Sequence, residues 1–291
     1  MIIVKLKGGM GNQMFQYALG RALSLKYNVP LGFDLSFLLN ITPRLNFTFR
    51  NYDLDIFNIK ADIVPSYKIP LMNKVFKGKI GRIFDYLRRL LSFDRGIEKY
   101  PWFKSSILHI GPNAYLDGYW QSYKYFEDIA DIIREDFTLK NKLSLNIENL
   151  KEEINNCSSL CIHVRRGDYV GNKYHEIVGK DYYEQGIKKI ETLVTIDKIY
   201  VFSDDIKWCE DNMKFSYSTM FVGEEFSGEK GEGHMFLMSQ CKYFVIPNSS
   251  FSWWGAWLSN YKNKIVIVPK KWFPWQIINK SDIAPKEWIK I

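Results

Sequence analysis

Two consecutive arginines, a glycine and an aspartate follow an apolar run in His163-Val-Arg-Arg-Gly-Asp-Tyr169, and that order of residue types suits the grip of an anion. Arginine presents a planar fork of donors that matches phosphate oxygens, and an aspartate beside it can hold the guanidinium in place. The preceding Ser159-Leu-Cys-Ile-His-Val164 reads as a strand. The arginines therefore fall at its carboxyl end, the edge where open α/β sheets bind ligands. A salt-bridged surface turn would use the same residues. A second segment, Pro247-Asn-Ser-Ser-Phe-Ser-Trp-Trp-Gly-Ala-Trp257, follows a strand and opens a helix. Hydroxyls and N–H groups at a helix N-terminus hold anions, and Ser249 and Ser250 fit that task as well as they fit simple capping. Trp253, Trp254 and Trp257 fit a core. A third segment, Phe202-Ser-Asp-Asp205, ends another strand. An Asp there binds a base or ribose, braces an arginine or caps the next helix. Arginines and a helix N-terminus converging on one sheet edge suit a diphosphate.

The elements that must position these groups alternate regularly in the second half. Strands are expected at 159–164, 198–202, 217–222, 243–246 and, last, 265–268. Helices are expected at 181–193 with Asp181 as N-cap, 204–213, 234–240 and 250–258. Such alternation predicts a parallel, doubly wound sheet. The first half opens with a strand at 2–6, then a glycine-rich loop, Lys7-Gly-Gly-Met-Gly-Asn-Gln13, and a helix from Met14 to Leu25. The loop is not the GxGxxG of a dinucleotide site. Residues 119–137 read as an aromatic turn followed by an amphipathic helix. The Asn-rich stretch 140–158 reads as the domain boundary, which gives domains 1–156 and 157–291.

The chain has 291 residues, a formal charge of +8 and 16% aromatic residues, enough to bury a core and still line a site with rings. Charge of this size fits an anionic small ligand, a membrane surface or nucleic acid. A basic nucleic-acid-binding protein is disfavoured because the basic residues do not interleave with aromatics in a known module. In 74–99, eight basic residues stand against Asp85, Asp94 and Glu98, with apolar residues at helical spacing from Ile80 to Leu91. That segment reads as a surface helix packed on the core, with a lipid-surface helix as the alternative. No apolar run approaches the ~18 residues of a membrane span. Met1-Ile-Ile-Val-Lys5 does not resemble a secretory leader. A cytoplasmic protein with peripheral contact at the inner membrane face is expected, its four cysteines free thiols.

The chain resembles the bacterial α-1,2-fucosyltransferases of glycosyltransferase family 11. The matching segments are GGMGNQMFQYALGRAL at 8–23, DGYWQSYKYF at 117–126, HVRRGDY at 163–169, DYYEQGIKKI at 181–190, FSDDIKWCEDN at 202–212, and FLMSQC with NSSFSWWGAWLS between 236 and 259. The poorly matched part is roughly 27–116. The resemblance implies a GT-B architecture, two Rossmann-like halves facing a cleft, with the acceptor on the first and GDP-fucose on the second. It implies inverting transfer of L-fucose from GDP-β-L-fucose to the 2-hydroxyl of a terminal galactose in an O-antigen or capsule glycan, the acceptor being lipid-linked in some such systems. No metal or other cofactor is implied. Arg165 would grip the diphosphate and Arg166 support it. Ser249, Ser250 and the helix they open would hold phosphate oxygens, Asn248 would belong to the donor site, His163 with Asp204 or Asp205 would lie near guanosine, and Asn12 would face the donor across the cleft.

Two departures from the family pattern stand out. At the start of the helix before NSSFSWW the family carries an acid suited to reading guanine, and this chain has His234 there, with Glu232 two residues earlier. The stretch 170–180 is short. Within it His175 is the first choice for the general base, with Asp168 and Glu176 as others. Another nucleotide sugar on the same fold is the alternative that His234 raises. Asp53-Leu-Asp55 is a literal DxD, but its alternation with Leu54 and Ile56 reads as strand or turn, not a metal site.

Overall fold

A computed structural model describes residues 1–43, 48–69, 94–167, 178–273 and 282–291. The chain divides into two compact units, Met1–Lys140 and Asn141–Ile291.

The first unit is a five-stranded parallel sheet of order β3-β2-β1-β5-β4. Its strands are β1 (Ile2–Lys5), β2 (Leu31–Asp34), β3 (Asp62–Ile63), β4 (Asp94–Ile97) and β5 (Ala114–Asp117). β1 is central and apolar, and it pairs β2 from Ile2↔Leu31 and β5 from Ile2↔Ala114. Helix α1 (Met10–Tyr27) begins four residues before the expected Met14, so Asn12 lies in its first turn and not in a loop. Gln13 and Gln16 are fully buried. They hold the approach to that helix as a second backbone would. Gln16 accepts from the Lys7 N–H and donates to the Lys7 carbonyl, both at 3.0 Å. Gln13 donates to the Gly8 and Asn51 carbonyls and accepts from the Asp53 N–H. The Asp53-Leu-Asp55 run is part of a 3-10 turn, Leu54–Ile56. The stretch after β5 forms two 3-10 turns, Tyr123–Tyr125 and Glu127–Ile129, and a short helix α2 (Ala130–Asp136). Asp136 ties α2 to α1 by accepting from the Tyr17 hydroxyl at 2.6 Å and Arg21 Nε at 2.9 Å.

The second unit holds α3 (Leu145–Asn155), β6 (Ser159–Val164), α4 (Lys180–Glu191), β7 (Lys198–Ser203), α5 (Ile206–Asn212), β8 (Ser218–Phe221), α6 (Glu232–Gln240), β9 (Tyr243–Val245), α7 (Ser250–Leu258), β10 (Ile265–Val268) and β11 (Ile289–Lys290). The sheet is parallel throughout, in the order β11-β10-β9-β6-β7-β8. From β6 the chain steps outward to β8, then returns to lay β9 on the other side of β6. That reversal creates a topological switch point between β6 and β9, where a crevice opens at the carboxyl ends. β6 is buried along its whole length, as a strand covered on both faces must be.

Several expectations change in detail. The 140–158 stretch is not a linker: α3 lies within it, buries Ile147, Leu150 and Ile154 at helical spacing, and belongs to the second unit. The units therefore part at Lys140, before that helix, and not at 156. Asp181 is not the N-cap of α4; Gly179 is, and Asp181 sits in the first turn, where the helix dipole favours a carboxylate. β10 is not the last strand, because β11 adds beside it at Ile267↔Ile289. The basic 74–99 segment lies outside the described residues up to 93, and its end, Asp94–Ile97, is strand β4. The four cysteines are free, with Cys161, Cys209 and Cys241 buried. Among the described residues, no helix is long and apolar enough to cross a membrane.

Gly233 shows how tightly α6 docks. A Cβ there would stand 2.2 Å from the Phe226 carbonyl oxygen and 2.8 Å from the Ile147 side chain. Alanine in a helix ordinarily gains up to about 1 kcal/mol over glycine. Here the overlap falls on backbone, so overpacking of about 1–3 kcal/mol outweighs that gain. Gly233→Ala is expected to lower the urea midpoint at unchanged m-value.

Candidate functional site

The site is built at the switch point, where β6 ends. Arg165 and Arg166 leave the strand side by side, and two aspartates from the end of β7 meet them. Asp204 takes Arg165 Nη1 on one oxygen at 3.1 Å and the backbone N–H of Arg166 on the other at 2.8 Å. One carboxylate thus fixes a side chain and the turn that carries it. Asp205 accepts from Arg166 Nε at 3.1 Å and caps α5 by accepting from the Trp208 N–H at 3.3 Å. The Trp208 ring lies under the Arg166 guanidinium, 3.7 Å from Cζ to the ring centroid, a cation–π stack that fixes the plane of the fork. Of the sequence alternatives for 204–205, bracing and capping are both present. Both arginines are about one-fifth exposed, so these pairs are only partly screened. Gly167 is required by contact: a Cβ there would come within 2.5 Å of Asp204 Oδ2.

Across the switch point, Ser249 is the N-cap residue of α7, yet its side chain caps none of the first-turn N–H groups. Ser249 is buried and Ser250 half-buried. Asn248 Nδ2 donates to the Trp272 carbonyl at 3.1 Å, which anchors the turn between β9 and α7. The tryptophans behind the serines pack into the core as expected: Trp253 and Trp254 are fully buried, and Trp253 Nε1 donates to the Ile283 carbonyl.

His163 stands between these two features. Its ring is 6.0 Å from that of Phe251 in the first turn of α7. Its Nδ1 is buried and has no hydrogen-bond partner. Burial, then the nearby Arg165 and His234, push its pKa down to about 3, so the ring is neutral at physiological pH. His234, on α6, packs edge-on to Phe202. Its Nε2 lies 2.9 Å from the Gly223 carbonyl and must donate to it, leaving Nδ1 as an acceptor in the neutral ring. Burial lowers the His234 pKa as well. Glu232 accepts from the backbone N–H groups of Glu229 and Lys230, so its carboxylate closes its own turn.

Of the residues singled out in the sequence, His163, Arg165, Arg166, Asp204, Asp205, His234, Asn248, Ser249 and Ser250 thus gather at the carboxyl edge of the second sheet. Asn12 belongs to the first unit, where its Oδ1 accepts from Gln121 Nε2 at 2.5 Å. Asp168, His175 and Glu176 lie outside the described residues. Trp208 was missed. Its stack on Arg166 joins the turn after β6 to the helix after β7, a contact with no local sequence signal. Among the described residues, no three or more His, Cys, Asp or Glu side chains group as metal ligands would.

Residues 85–291 match the model of glycosyl transferase family 11. Over 100% of its length the chain is 35% identical to an Escherichia coli protein named alpha-1,2-colitosyltransferase, covering 98% of that relative. It is 33% identical to the Escherichia coli O-antigen biosynthesis glycosyltransferase WbnK, over 98% of this chain and 99% of the relative. An Arabidopsis thaliana FUT1 mutant, solved in complex with GDP, matches 96% of this chain and 71% of its own with a TM-score of 0.51 and 12% identity. At that identity the likeness is one of fold, and the two parallel-sheet units here are of the α/β GT-B type.

The buried histidine has a consequence for stability. An unfolded His163 titrates near 6.5 and the folded one near 3. Between those values the unfolded chain binds the extra proton, so stability falls as pH drops through that window and is fully present above it. His163→Gln is expected to flatten the decline of the thermal midpoint between pH 7 and pH 4, read by scanning fluorimetry.

Proposed function

The chain belongs to glycosyltransferase family 11, and on that premise we propose that it transfers L-fucose from GDP-β-L-fucose, with inversion and without a metal ion, to the 2-hydroxyl of a terminal galactose in a surface glycan. The observation that carries this reading is the paired bracing of Arg165 and Arg166 by Asp204 and Asp205. It stands at the same sheet edge as the first turn of α7, whose N-cap residue Ser249 does not cap it with its side chain.

In this reading the galactose 2-oxygen attacks the anomeric carbon opposite the diphosphate. A new C–O bond forms as the old one breaks, and its electron pair goes to the β-phosphate oxygen. Arg165 and the first-turn N–H groups of α7 meet the charge that develops there, already aimed and needing no reorganisation. Asp204 keeps the guanidinium in place, while Arg166 is held flat by Trp208 at the flank. The neutral His163 adds no charge of its own and offers a ring nitrogen to the nucleotide side. His234 Nδ1 supplies an acceptor for a guanine N–H. The proton of the attacking hydroxyl goes to His175 or Asp168. Asn12 is proposed as the contribution of the first unit to the donor. A lipid-linked acceptor at the inner membrane face is part of the same proposal.

A second reading, transfer of colitose, is favoured by the relative that is 35% identical over the whole chain and is named for that sugar. Colitose is L-fucose without its 3-hydroxyl. A site that hydrogen-bonds that hydroxyl rejects the deoxy sugar strongly, and one that leaves it in water does not.

The test is transfer of labelled fucose from GDP-fucose to lactose in EDTA, with linkage analysis of the product. Product is expected to persist in EDTA and to fall by about 10²–10³ in kcat for Arg165→Ala. Loss in EDTA would remove the metal-free step. Equal binding of GDP and UDP would remove the guanosine assignment. A higher kcat/KM with the colitose donor would turn the conclusion to the second reading.

A further inference from the structure

The carboxyl edge of the first sheet carries a feature that the donor chemistry does not use. Three and five residues past β4, the rings of Tyr100 and Trp102 stack at 4.7 Å between centroids and 4° between planes. They do so at the surface, with Tyr100 59% and Trp102 39% exposed. Exposed aromatics scattered singly need no explanation, but a face-to-face pair held in water offers the outer face of its stack as a flat apolar surface.

The segment that carries the pair is fixed to the body of the unit. Phe103 packs on Tyr125 at 4.9 Å, and the Tyr125 hydroxyl accepts from the Lys104 N–H at 3.0 Å. Tyr125 in turn meets the buried Trp120 edge-on at 5.9 Å. Glu98, directly after β4, binds the backbone N–H groups of Tyr119 and Trp120 at 2.6 and 2.9 Å. Those bonds hold Trp120 at φ 56, a conformation a bulky side chain rarely adopts. Gly118 is hemmed in by the same two side chains, its absent Cβ leaving room for Glu98 and the Trp120 ring. The platform is therefore pre-organised and does not depend on a loose loop.

The residues that support this segment are themselves braced by charge. Lys7 stands 4.9 Å from the Tyr119 ring centroid and pairs with Asp117 at 2.9 Å, which Lys5 also reaches at 3.3 Å. Asp117 thus has both neighbouring ammonium groups to offset it. Glu98 spends two of its lone pairs on backbone and keeps acceptor capacity. An exposed aromatic face suits a neutral ring with C–H groups on one face and hydroxyls at its edge. We propose that the Tyr100–Trp102 stack forms the subsite against whose exposed ring face a pyranose ring of the acceptor glycan lies. The inference deepens the transferase reading and rests on it.

The test uses saturation-transfer NMR of lactose and maltose with the full-length protein at saturating GDP, beside acceptor KM in the transfer assay. Trp102→Ala and Tyr100→Ala are each expected to raise acceptor Kd and KM about five- to tenfold. GDP affinity is expected to hold, and Trp102→Phe to restore most of the loss. Tyr100→Ala, on the more exposed ring, keeps the test if Trp102→Ala fails to fold. Unchanged saccharide binding in both variants overturns the platform even if fucose transfer proceeds. Saccharide binding that falls in both variants, without transfer to any galactoside, keeps the platform and removes the proposed reaction. Self-association that the variants abolish, with no saccharide bound, overturns the sugar assignment in favour of a second copy.

Discussion

Two guanidinium charges on successive residues cannot sit at the end of a buried strand unless something holds them, and everything else at the candidate site follows from how that is done. β6 is solvent-excluded up to Val164, and the chain turns from it directly into Arg165 and Arg166. The neighbouring strand, β7, is in register from Ser159↔Lys198 to Val164↔Ser203, so its next two residues, Asp204 and Asp205, emerge beside the arginines. The match of charges is a consequence of parallel pairing in register. A slip of one residue would reverse every side chain of the strand between faces and separate the pairs.

Those carboxylates have second duties that lock the arrangement. Asp204 binds the turn backbone as well as a side chain, so the arginine and its peptide move together. Asp205 starts the helix whose Trp208 supports the second arginine. A substitution at either aspartate therefore disturbs geometry and charge at once. His163 stays neutral inside this array because desolvation and the adjacent guanidinium both disfavour its proton.

The first unit solves a different problem with neutral groups. Buried amides of Gln13 and Gln16 stand in for missing backbone partners around the turn into α1. The GNQMFQ segment that helped mark the family is thus largely a brace for the backbone. Neither role is visible from residue type alone, since a glutamine in a helix is as often a surface residue.

Much was legible in the sequence where local signals are strong. The strands of the second unit are continuous apolar runs between turns, and β6, β7, β9, β10 and α7 fall where those runs predict. The Arg-Arg and Asp-Asp pairs could be placed at strand ends because strand ends could. Short edge strands were hidden in both sheets. In the first, β4 is Asp-Arg-Gly-Ile and β3 only Asp62–Ile63, and in the second β11 is two residues long; such strands exist only because a neighbour supplies hydrogen bonds. Helix α3 carries its apolar stripe at Ile147, Leu150 and Ile154, but five asparagines between 141 and 156 outweighed it in a reading by composition. The sequence by itself determined the parallel α/β class, the family and the charged residues at the carboxyl edge of the second sheet, because those depend on local periodicity and on short motifs. Only the tertiary structure decided that Asp204 and Asp205 grip the arginines, that His163 is held neutral and that His234 faces a carbonyl. Each of those depends on desolvation and on partners brought together from distant parts of the chain.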